Sequence, residues 1–285
     1  MNEEQEPESF LPTFTRKKIL STCKFEWKTA LIDLLEFKPK VVGFNPYRGC
    51  MGCTYCWVKG FNARFKNIKP DNDFSNLELC ENVYALLEKE LPKLPENHLI
   101  IACTTTDLFQ PILNENTELY DLVGSWLELL YDYNVLFITK NGVVLRKYLE
   151  DGYFNNENHI IGVTITTTKD NEAIRKIYEP NSSTTNERYE ALFEAEKRRF
   201  RKFVSVEPPL QGITTIVKEI MNYRLSKTWI VLGFANYRLK DLWSKEDYIR
   251  WFRELRHEST VHNKIFWKDE CLSKISNWIG VGNKK

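Results

Sequence analysis

The chain has 285 residues, of which 42% are hydrophobic and 28% charged, a composition that is typical of globular proteins and excludes wholesale disorder. Its 40 Lys and Arg residues against 39 Asp and Glu leave a formal net charge of +1, which excludes a global attraction to nucleic acid. No apolar run approaches the ~20 residues of a membrane helix, and the acidic N-terminus lacks a secretory layout. We therefore expect a cytoplasmic protein with no membrane partner.

The predicted elements follow in chain order. Residues 1–40 are predicted to be an N-terminal arm and lead-in, residues 41–240 a partial barrel, and residues 241–285 a helical extension. Short runs of β-branched and apolar residues predict six strands buried on both faces: Val41–Asn45, Leu99–Cys103, Val135–Thr139, Ile160–Ile165, Phe203–Val206 and Trp229–Gly233. Apolar residues at helical spacing predict six helices: Leu77–Glu90, Glu118–Tyr131, Asn186–Phe200, Thr214–Tyr223, Lys245–Arg256 and Asp269–Trp278. Thr214 and Ser244 are candidate N-caps.

Strands that alternate with helices predict parallel pairing with right-handed crossovers. The predicted fold class is therefore α/β, a partial (β/α)6 barrel with parallel strands and C-terminal closing helices. In such barrels, chemistry collects at the carboxyl ends of the strands. The residues predicted there are polar or turn formers, namely Asn45, Thr104–Asp107, Lys140, Asn141, Thr166, Thr167, Glu207 and Asn236.

Three of the seven cysteines lie within seven residues, in the segment Gly49–Trp57. In a reducing compartment such a cluster favours metal ligands over disulfides. The spacing C-x2-C-x2-C of Cys50, Cys53 and Cys56 matches the first part of the bacterial ferredoxin pattern, so three thiolates can hold one [4Fe–4S] cluster. The fourth ferredoxin cysteine would stand at position 60, where this chain has Gly60. One iron is then open to a small molecule.

Two alternatives compete with an open iron. A structural zinc site would need a fourth N or S ligand, for which His257 and His262 are the nearest candidates by spacing. An ordinary electron-transfer cluster would recruit a fourth cysteine from Cys23, Cys80, Cys103 or Cys271.

The residues around the cysteines carry a more specific signal. Asn45–Cys50 and Gly52–Cys56 resemble the cluster loop of the spore photoproduct lyase-like (DNA repair photolyase-like) branch of radical S-adenosylmethionine (SAM) enzymes. Further segments stand in the same order as in that branch, namely Thr106–Pro111, Phe137–Lys140, Val163–Thr167, Glu179-Pro180 and Ser205–Pro208. The likeness spans about Phe44 to Leu210. The family spacing is C-x3-C-x2-C, so this chain is one residue short between Cys50 and Cys53, and its loop geometry must differ there.

The resemblance implies roles for individual positions. The three cysteines would bind the cluster, and Tyr55 would contact the adenine of SAM. Thr104 would help to bind the methionine part, and Lys140 would pair with its carboxylate. Thr164 or Thr166 would contact SAM from the fourth strand, depending on which of them faces inward. Each of these side chains also has an ordinary structural interpretation as a capping, packing or solvated residue.

Three further positions carry open interpretations. Glu207 and Asp107 would orient the substrate or bind the ribose or amine of SAM, or they are structural acids that accept backbone N–H groups. Cys103 precedes Thr104 as a hydrogen-donating cysteine does in photoproduct lyases; the alternative is a packed core thiol. Trp57 stands where that lyase has a second functional tyrosine, which weakens the specific lyase assignment but not SAM cleavage.

The resemblance thus implies an enzyme with a [4Fe–4S] cluster and S-adenosyl-L-methionine as cofactors. The reduced cluster would cleave SAM to methionine and a 5′-deoxyadenosyl radical, which abstracts hydrogen from a substrate, with a nucleic-acid lesion as the first candidate. An external electron donor of flavodoxin or ferredoxin type is implied. One alternative is radical modification of a nucleotide, RNA or peptide; another is a non-catalytic zinc- or cluster-stabilised nucleic-acid-binding protein.

Overall fold

A computed structural model of the chain describes residues 11–23, 27–50, 52–56, 58, 77–235, 239–259 and 263–279. Four residues named in the sequence predictions, Trp57, Gly60, Asn236 and His262, lie outside this part of the chain. Within it, no helix is long and apolar enough to cross a lipid bilayer.

The core of the molecule is an eight-stranded sheet, with a small three-stranded sheet beside it. The strands are β1 (Thr13–Phe14), β2 (Leu20–Thr22), β3 (Lys40–Phe44), β4 (Tyr47–Arg48), β5 (Glu78–Cys80), β6 (His98–Ala102), β7 (Val135–Thr139), β8 (His159–Thr164), β9 (Arg201–Val206), β10 (Thr228–Leu232) and β11 (Asn263–Trp267). The large sheet has the order β11-β10-β9-β8-β7-β6-β3-β2, in which every pairing is parallel except that of β2 with β3. The predicted partial barrel of parallel strands is confirmed, and all six predicted strands are present.

Two strands of this sheet were not expected. Residues 20–22, in the segment predicted as an arm, pair antiparallel with β3, and residues 263–267, within the predicted helical extension, pair parallel with β10. Both lie at the edges of the sheet, and most of their residues are partly buried or exposed. Neither therefore has the continuous apolar run that marks a strand buried on both faces.

The helices connect the strands and close the C-terminal end. They are α1 (Lys28–Leu35), α2 (Val83–Glu90), α3 (Thr117–Leu129), α4 (Gly142–Glu150), α5 (Glu172–Tyr178), α6 (Thr185–Lys197), α7 (Ile213–Asn222), α8 (Lys245–Leu255) and α9 (Asp269–Trp278). The predicted N-cap Ser244 begins α8 and accepts a hydrogen bond from the Asp247 N–H. The prediction for Thr214 is wrong, since α7 starts after Gly212 and the Thr214 hydroxyl donates instead to Glu254.

Three helices, α1, α4 and α5, were not predicted from the sequence. The helix predicted over Leu77–Glu90 is shorter than expected. Residues 78–80 of the predicted helix Leu77–Glu90 form a strand, β5, which leaves the helix to begin at Val83. Helix α4 begins with Gly142, Val143 and Val144, residues of low helix propensity. Gly142 is needed because a Cβ there would collide with the backbone of Glu187 and Arg188 on α6.

Helix α1 lies on the opposite face of the sheet from the crossover helices. Its apolar residues, Ala30, Leu31, Leu34 and Leu35, form one cluster with Leu99, Ile101, Leu136, Ile160, Phe203 and Val231. The alternate residues of the same strands pack with the crossover helices in a separate cluster, as the period of two in a strand requires. Asp33 ties α1 to the C-terminal edge by accepting hydrogen bonds from Lys264 (2.8 Å) and from the Trp229 indole (2.7 Å). Helix α1 therefore fills the concave side of the partial barrel and forms a floor.

Candidate functional site

A cavity of about 980 Å³ opens over this floor at the carboxyl ends of the strands. Its lining includes ten of the eleven residues that the sequence marked as candidates for the site, namely Cys50, Cys53, Tyr55, Cys56, Cys103, Thr104, Asp107, Lys140, Thr164 and Glu207. The eleventh, Thr166, is fully buried and is not part of the lining. The fold thus brings together side chains that are up to 157 positions apart in the chain, as parallel strands with a common carboxyl edge require. Their chemical roles stay predictions.

The cysteine loop, described at Cys50 and at residues 52–56, forms one rim of this cavity. All three thiols are partly exposed, and the Cys56 N–H donates to the Cys53 carbonyl (3.3 Å) within a turn. Burial is the main reason that the pKa of Cys53 is raised to about 11 and that of Cys50 still further, so both are thiols in the metal-free loop. Gln110 Nε2 lies 3.5 Å from Cys50 Sγ.

The candidate metal ligands at this cavity are sulfur rather than nitrogen atoms. Three thiols border one cavity, whereas His257 is exposed and no histidine of the described residues lines the cavity. Cys80 and Cys271 are buried in the hydrophobic core, so only Cys23 and Cys103 also reach the cavity. Within the described ranges, no three His, Cys, Asp or Glu side chains are already gathered closely enough to hold a metal ion. The three thiols of this loop therefore border one cavity without being preassembled as a metal site.

Tyr55 anchors this loop to a buried ion pair. Its hydroxyl donates to Glu179 Oε1, and the other carboxylate oxygen of Glu179 accepts from Arg188 Nη2 at 2.5 Å. Neither side chain of the pair has exposed surface. Burial opposes ionisation of Glu179, but Arg188 and Lys140 together hold its pKa below the ordinary value. In sequence, Glu179 stands out only as part of the segment Glu179-Pro180 that resembles the family, and no pattern marks Arg188.

Thr104 is oriented by the side chain of Asn45. Asn45 Oδ1 accepts the backbone N–H groups of Thr104 and Thr105, both at 2.9 Å, while its Nδ2 donates to Thr104 Oγ1 at 3.1 Å. Gly43 lies beneath, and a Cβ there would stand 3.2 Å from Thr104 Oγ1. The hydroxyl is thus held at the edge of the cavity by residues from the end of β3.

Asp107 has a structural role. Its carboxylate accepts hydrogen bonds from Thr139 Oγ1 (2.7 Å) and from the backbone N–H groups of Phe109 (3.0 Å) and Lys140 (3.0 Å). Burial raises the pKa of Asp107, and these donors partly offset that effect. The acid therefore joins the loop after β6 to the end of β7 and fixes the backbone from which Lys140 projects.

Lys140 and Cys103 face the cavity from the ends of β7 and β6. Burial would lower the pKa of Lys140, but Cys53 and Glu179 raise it overall, so its ammonium stays charged. That ammonium lies 5.9 Å from the centre of the Tyr55 ring. Burial raises the pKa of Cys103 to about 12, so its S–H bond is intact at neutral pH. A cation and an intact thiol thus lie on the same surface.

The opposite wall comes from the C-terminal edge of the sheet and was missed by the sequence analysis. Lys268, directly after β11, pairs with Glu207 at 2.6 Å and lies 5.3 Å from the ring centre of Trp27, which precedes α1. Gly233 allows Glu207 to lie against the end of β10, because a Cβ at that position would be 2.6 Å from Glu207 Cδ. Phe234, Glu270 and Lys274 complete this wall. The only sequence signal was Glu207 itself, because Lys268 stands among other charged residues.

No protein-family model matches the chain, and no curated protein matches its sequence. Its fold is nevertheless similar to solved structures of spore photoproduct lyase. One, complexed with dinucleoside spore photoproduct, gives a TM-score of 0.56 at 16% identity over 88% of this chain and 67% of that chain. A variant with bound AdoMet and the dinucleoside gives 0.55 over the same shares, and a tyrosine-to-phenylalanine variant gives 0.55 over 81% of this chain and 64% of that chain.

The chain therefore spans about two thirds of the lyase's length, and identity of 16% establishes similarity of fold rather than of reaction. The resemblance stated for residues 44–210 extends, at the level of the fold, to most of the chain. The chain has the fold of spore photoproduct lyase, a radical SAM enzyme.

Proposed function

We propose that this chain is a radical SAM enzyme that holds one [4Fe–4S] cluster on Cys50, Cys53 and Cys56. The observation that carries the proposal is that these thiols share one cavity with Thr104, Lys140 and Thr164, which come from the ends of three different strands. The similarity of fold to spore photoproduct lyase supports the same conclusion independently. The exposed position of His257 disfavours the zinc-stabilised alternative.

A reduced [4Fe–4S] cluster, when bound, supplies the electron that cleaves SAM to methionine and a 5′-deoxyadenosyl radical. The residues of the chain bind and orient SAM for that step. The Lys140 ammonium is a point charge suited to the carboxylate of SAM. The Thr104 hydroxyl, held by Asn45, supplies a fixed polar contact, and the Tyr55 ring beside Lys140 offers an aromatic surface to the adenine.

Below this polar rim the cavity becomes apolar. Trp27, Ile101 and Ile138 line it, and α1 closes the concave side beneath them. A surface of this kind excludes water from a reactive radical. Cys103 borders the same space with an intact S–H bond and could return a hydrogen atom to a substrate radical.

A nucleic-acid lesion is the substrate class that we propose first, because the solved lyase structures hold a dinucleoside photoproduct. The net charge of +1 indicates that any such contact is local to the cavity. Reduction of the cluster requires an external donor, for which a flavodoxin or ferredoxin is proposed.

The test is anaerobic reconstitution of the full chain with iron and sulfide. We expect about four irons per chain and formation of 5′-deoxyadenosine when SAM and dithionite are added. Binding of zinc without SAM cleavage would overturn the proposal.

The role of Cys103 is tested separately by Cys103→Ala. We expect this variant to bind iron and cleave SAM as the parent does. If the thiol is the hydrogen donor, the variant should form a different product from a dinucleoside photoproduct. Loss of iron would instead make Cys103 a ligand, and an unchanged product would make it a packing residue.

A further inference from the structure

The ion pair between Glu179 and Arg188 needs an explanation beyond stability. Both side chains are 0% exposed, although removing two charges from water typically costs more than their attraction returns. Arg188 makes further hydrogen bonds, since it also donates to the Ser183 carbonyl (3.1 Å) and to Ser182 Oγ (2.7 Å). Such a pair is well suited to fix one segment of a protein against another.

The segments that this pair connects are the cysteine loop and the end of β8. On one side, the Tyr55 hydroxyl donates to Glu179, and the Thr54 N–H donates to the Tyr178 carbonyl at 2.9 Å. On the other side, Arg188 Nη1 donates to the carbonyl of Thr164, the last residue of β8, at 2.7 Å. A continuous series of hydrogen bonds thus runs from the loop to a strand end that lines the cavity.

We propose that Glu179 and Arg188 are positioning residues that act through Tyr55 to hold the cysteine loop in the place where it binds its cluster. This inference rests on the proposed function only for the identity of the metal group. The loop must gather three thiols that are not preassembled, and a docked Tyr55 reduces the conformational entropy which that step removes.

The charges agree with this role. Glu179 carries one negative charge, while Arg188 and Lys140 carry two positive charges beside it. Both cations also interact electrostatically with Cys53, where a thiolate ligand would carry a negative charge. Uncharged residues in place of Glu179 and Arg188 could also hold the loop, but they would not attract a thiolate at Cys53.

Tyr55→Phe is the sharpest test, because it removes only the hydroxyl and leaves the ion pair intact. We expect hydrogen exchange of the backbone amides in residues 52–56 of the metal-free chain to become about tenfold faster, the effect of one lost hydrogen bond. After reconstitution, we expect iron retention against a chelator to fall roughly tenfold, as for other residues that orient metal ligands. The thermal unfolding midpoint should fall by only about 2–4 °C, so the fold is retained.

The matched control is Tyr120→Phe, which removes another tyrosine-to-carboxylate hydrogen bond, from Tyr120 to Asp151 at 2.6 Å, outside the cavity. It should alter neither loop exchange nor iron retention. Glu179→Gln keeps an acceptor for Tyr55 but leaves Arg188 without its countercharge. Glu190→Gln is its control, since Glu190 lies on α6 like Arg188 and forms a partly exposed pair with Arg146 of α4. We expect loop exchange to accelerate in Glu179→Gln and not in Glu190→Gln.

The inference is overturned if Tyr55→Phe exchanges in residues 52–56 at the parental rate and retains iron equally well. This outcome is separate from failure of the proposed function, because exchange is measured without metal. A parent chain that takes up no iron, but whose loop loosens in Tyr55→Phe, would refute the proposed function and leave the positioning role standing.

Discussion

The two walls of the cavity are built differently. On the cysteine-loop wall, Thr104, Lys140 and Tyr55 are each fixed by buried partners, namely Asn45, Asp107 and Glu179. On the C-terminal wall, one ion pair between Glu207 and Lys268, with side chains 20% and 11% exposed, lies among aromatic rings. Under the proposed function, the first wall would hold SAM and the second would contact the substrate.

The largest effect should come from Cys56→Ala, which removes one of the three thiols of the cysteine-loop wall. We expect complete loss of the cluster and of 5′-deoxyadenosine formation, because three thiolates are the minimum set for an open-iron cluster. Iron and sulfide analysis after reconstitution checks this result. Cys271→Ala, in the hydrophobic core, should keep its iron. If Cys56→Ala retains a full cluster, this loop is not the cluster site.

Both walls share one scaffold, and acid should unfold it through His159. This residue is fully buried at the start of β8, where its Nδ1 accepts from the Asn155 N–H (3.1 Å) and its Nε2 faces the Leu130 carbonyl (3.0 Å). Burial lowers the pKa of His159 from 6.5 to about 4. The unfolded chain therefore takes up the proton first as the pH falls. Stability should be complete above pH 6.5 and decline between pH 6.5 and 4, by up to about 3 kcal/mol.

Urea unfolding at pH 7.5, 5.5 and 4.5 checks this prediction. His159→Gln removes the titrating group, so its stability should depend less on pH over this range. Equal pH dependence in the parent and the variant would place the acid-sensitive group elsewhere. Comparisons of the two walls are best made above pH 6.5.

Lys268→Met tests whether the two walls have separate tasks. It breaks the pair with Glu207, so we expect product formation from a dinucleoside photoproduct to fall about tenfold. Iron content and 5′-deoxyadenosine formation without substrate should stay at the parental level. Lys264→Met is the matched control, since Lys264 lies on β11, the strand that Lys268 directly follows, and pairs with Asp33 at 2.8 Å without lining the cavity. If Lys268→Met lowers iron content as much as product formation, the walls do not have separate tasks.

The smallest effect concerns Thr166. Its buried hydroxyl has no hydrogen-bond partner among the residues that the structure describes, whereas Thr164 lines the cavity. Thr166→Val should leave SAM binding unchanged and raise the free energy of unfolding by about 1 kcal/mol, because an unsatisfied buried hydroxyl is replaced by a methyl group. Thr164→Val should weaken SAM binding. Calorimetric titration with SAM and urea unfolding distinguish the two, and the reverse order of SAM affinities would make Thr166 the contact.

The sequence by itself determined the central strands and the rim of the cavity. Val135–Thr139 is predicted to the residue, and the other five predicted strands lie within two residues of the observed ones, because a strand buried on both faces must be apolar throughout. The polar residues that directly follow these parallel strands must then lie at one common edge of the sheet. The cysteine spacing likewise indicated a ligand set without knowledge of the fold.

Only the tertiary structure decided what those residues contact. In sequence, Arg188 and Lys268 are charges in polar segments and have the pattern of solvated side chains. Burial of Arg188 against Glu179 and pairing of Lys268 with Glu207 arise from segments that meet through packing. Helix α1 has an apolar face, but its place inside the partial barrel depends on a concave surface that strands from the whole chain create. Local patterns record what is buried, whereas the partner of each buried group is a property of the complete fold.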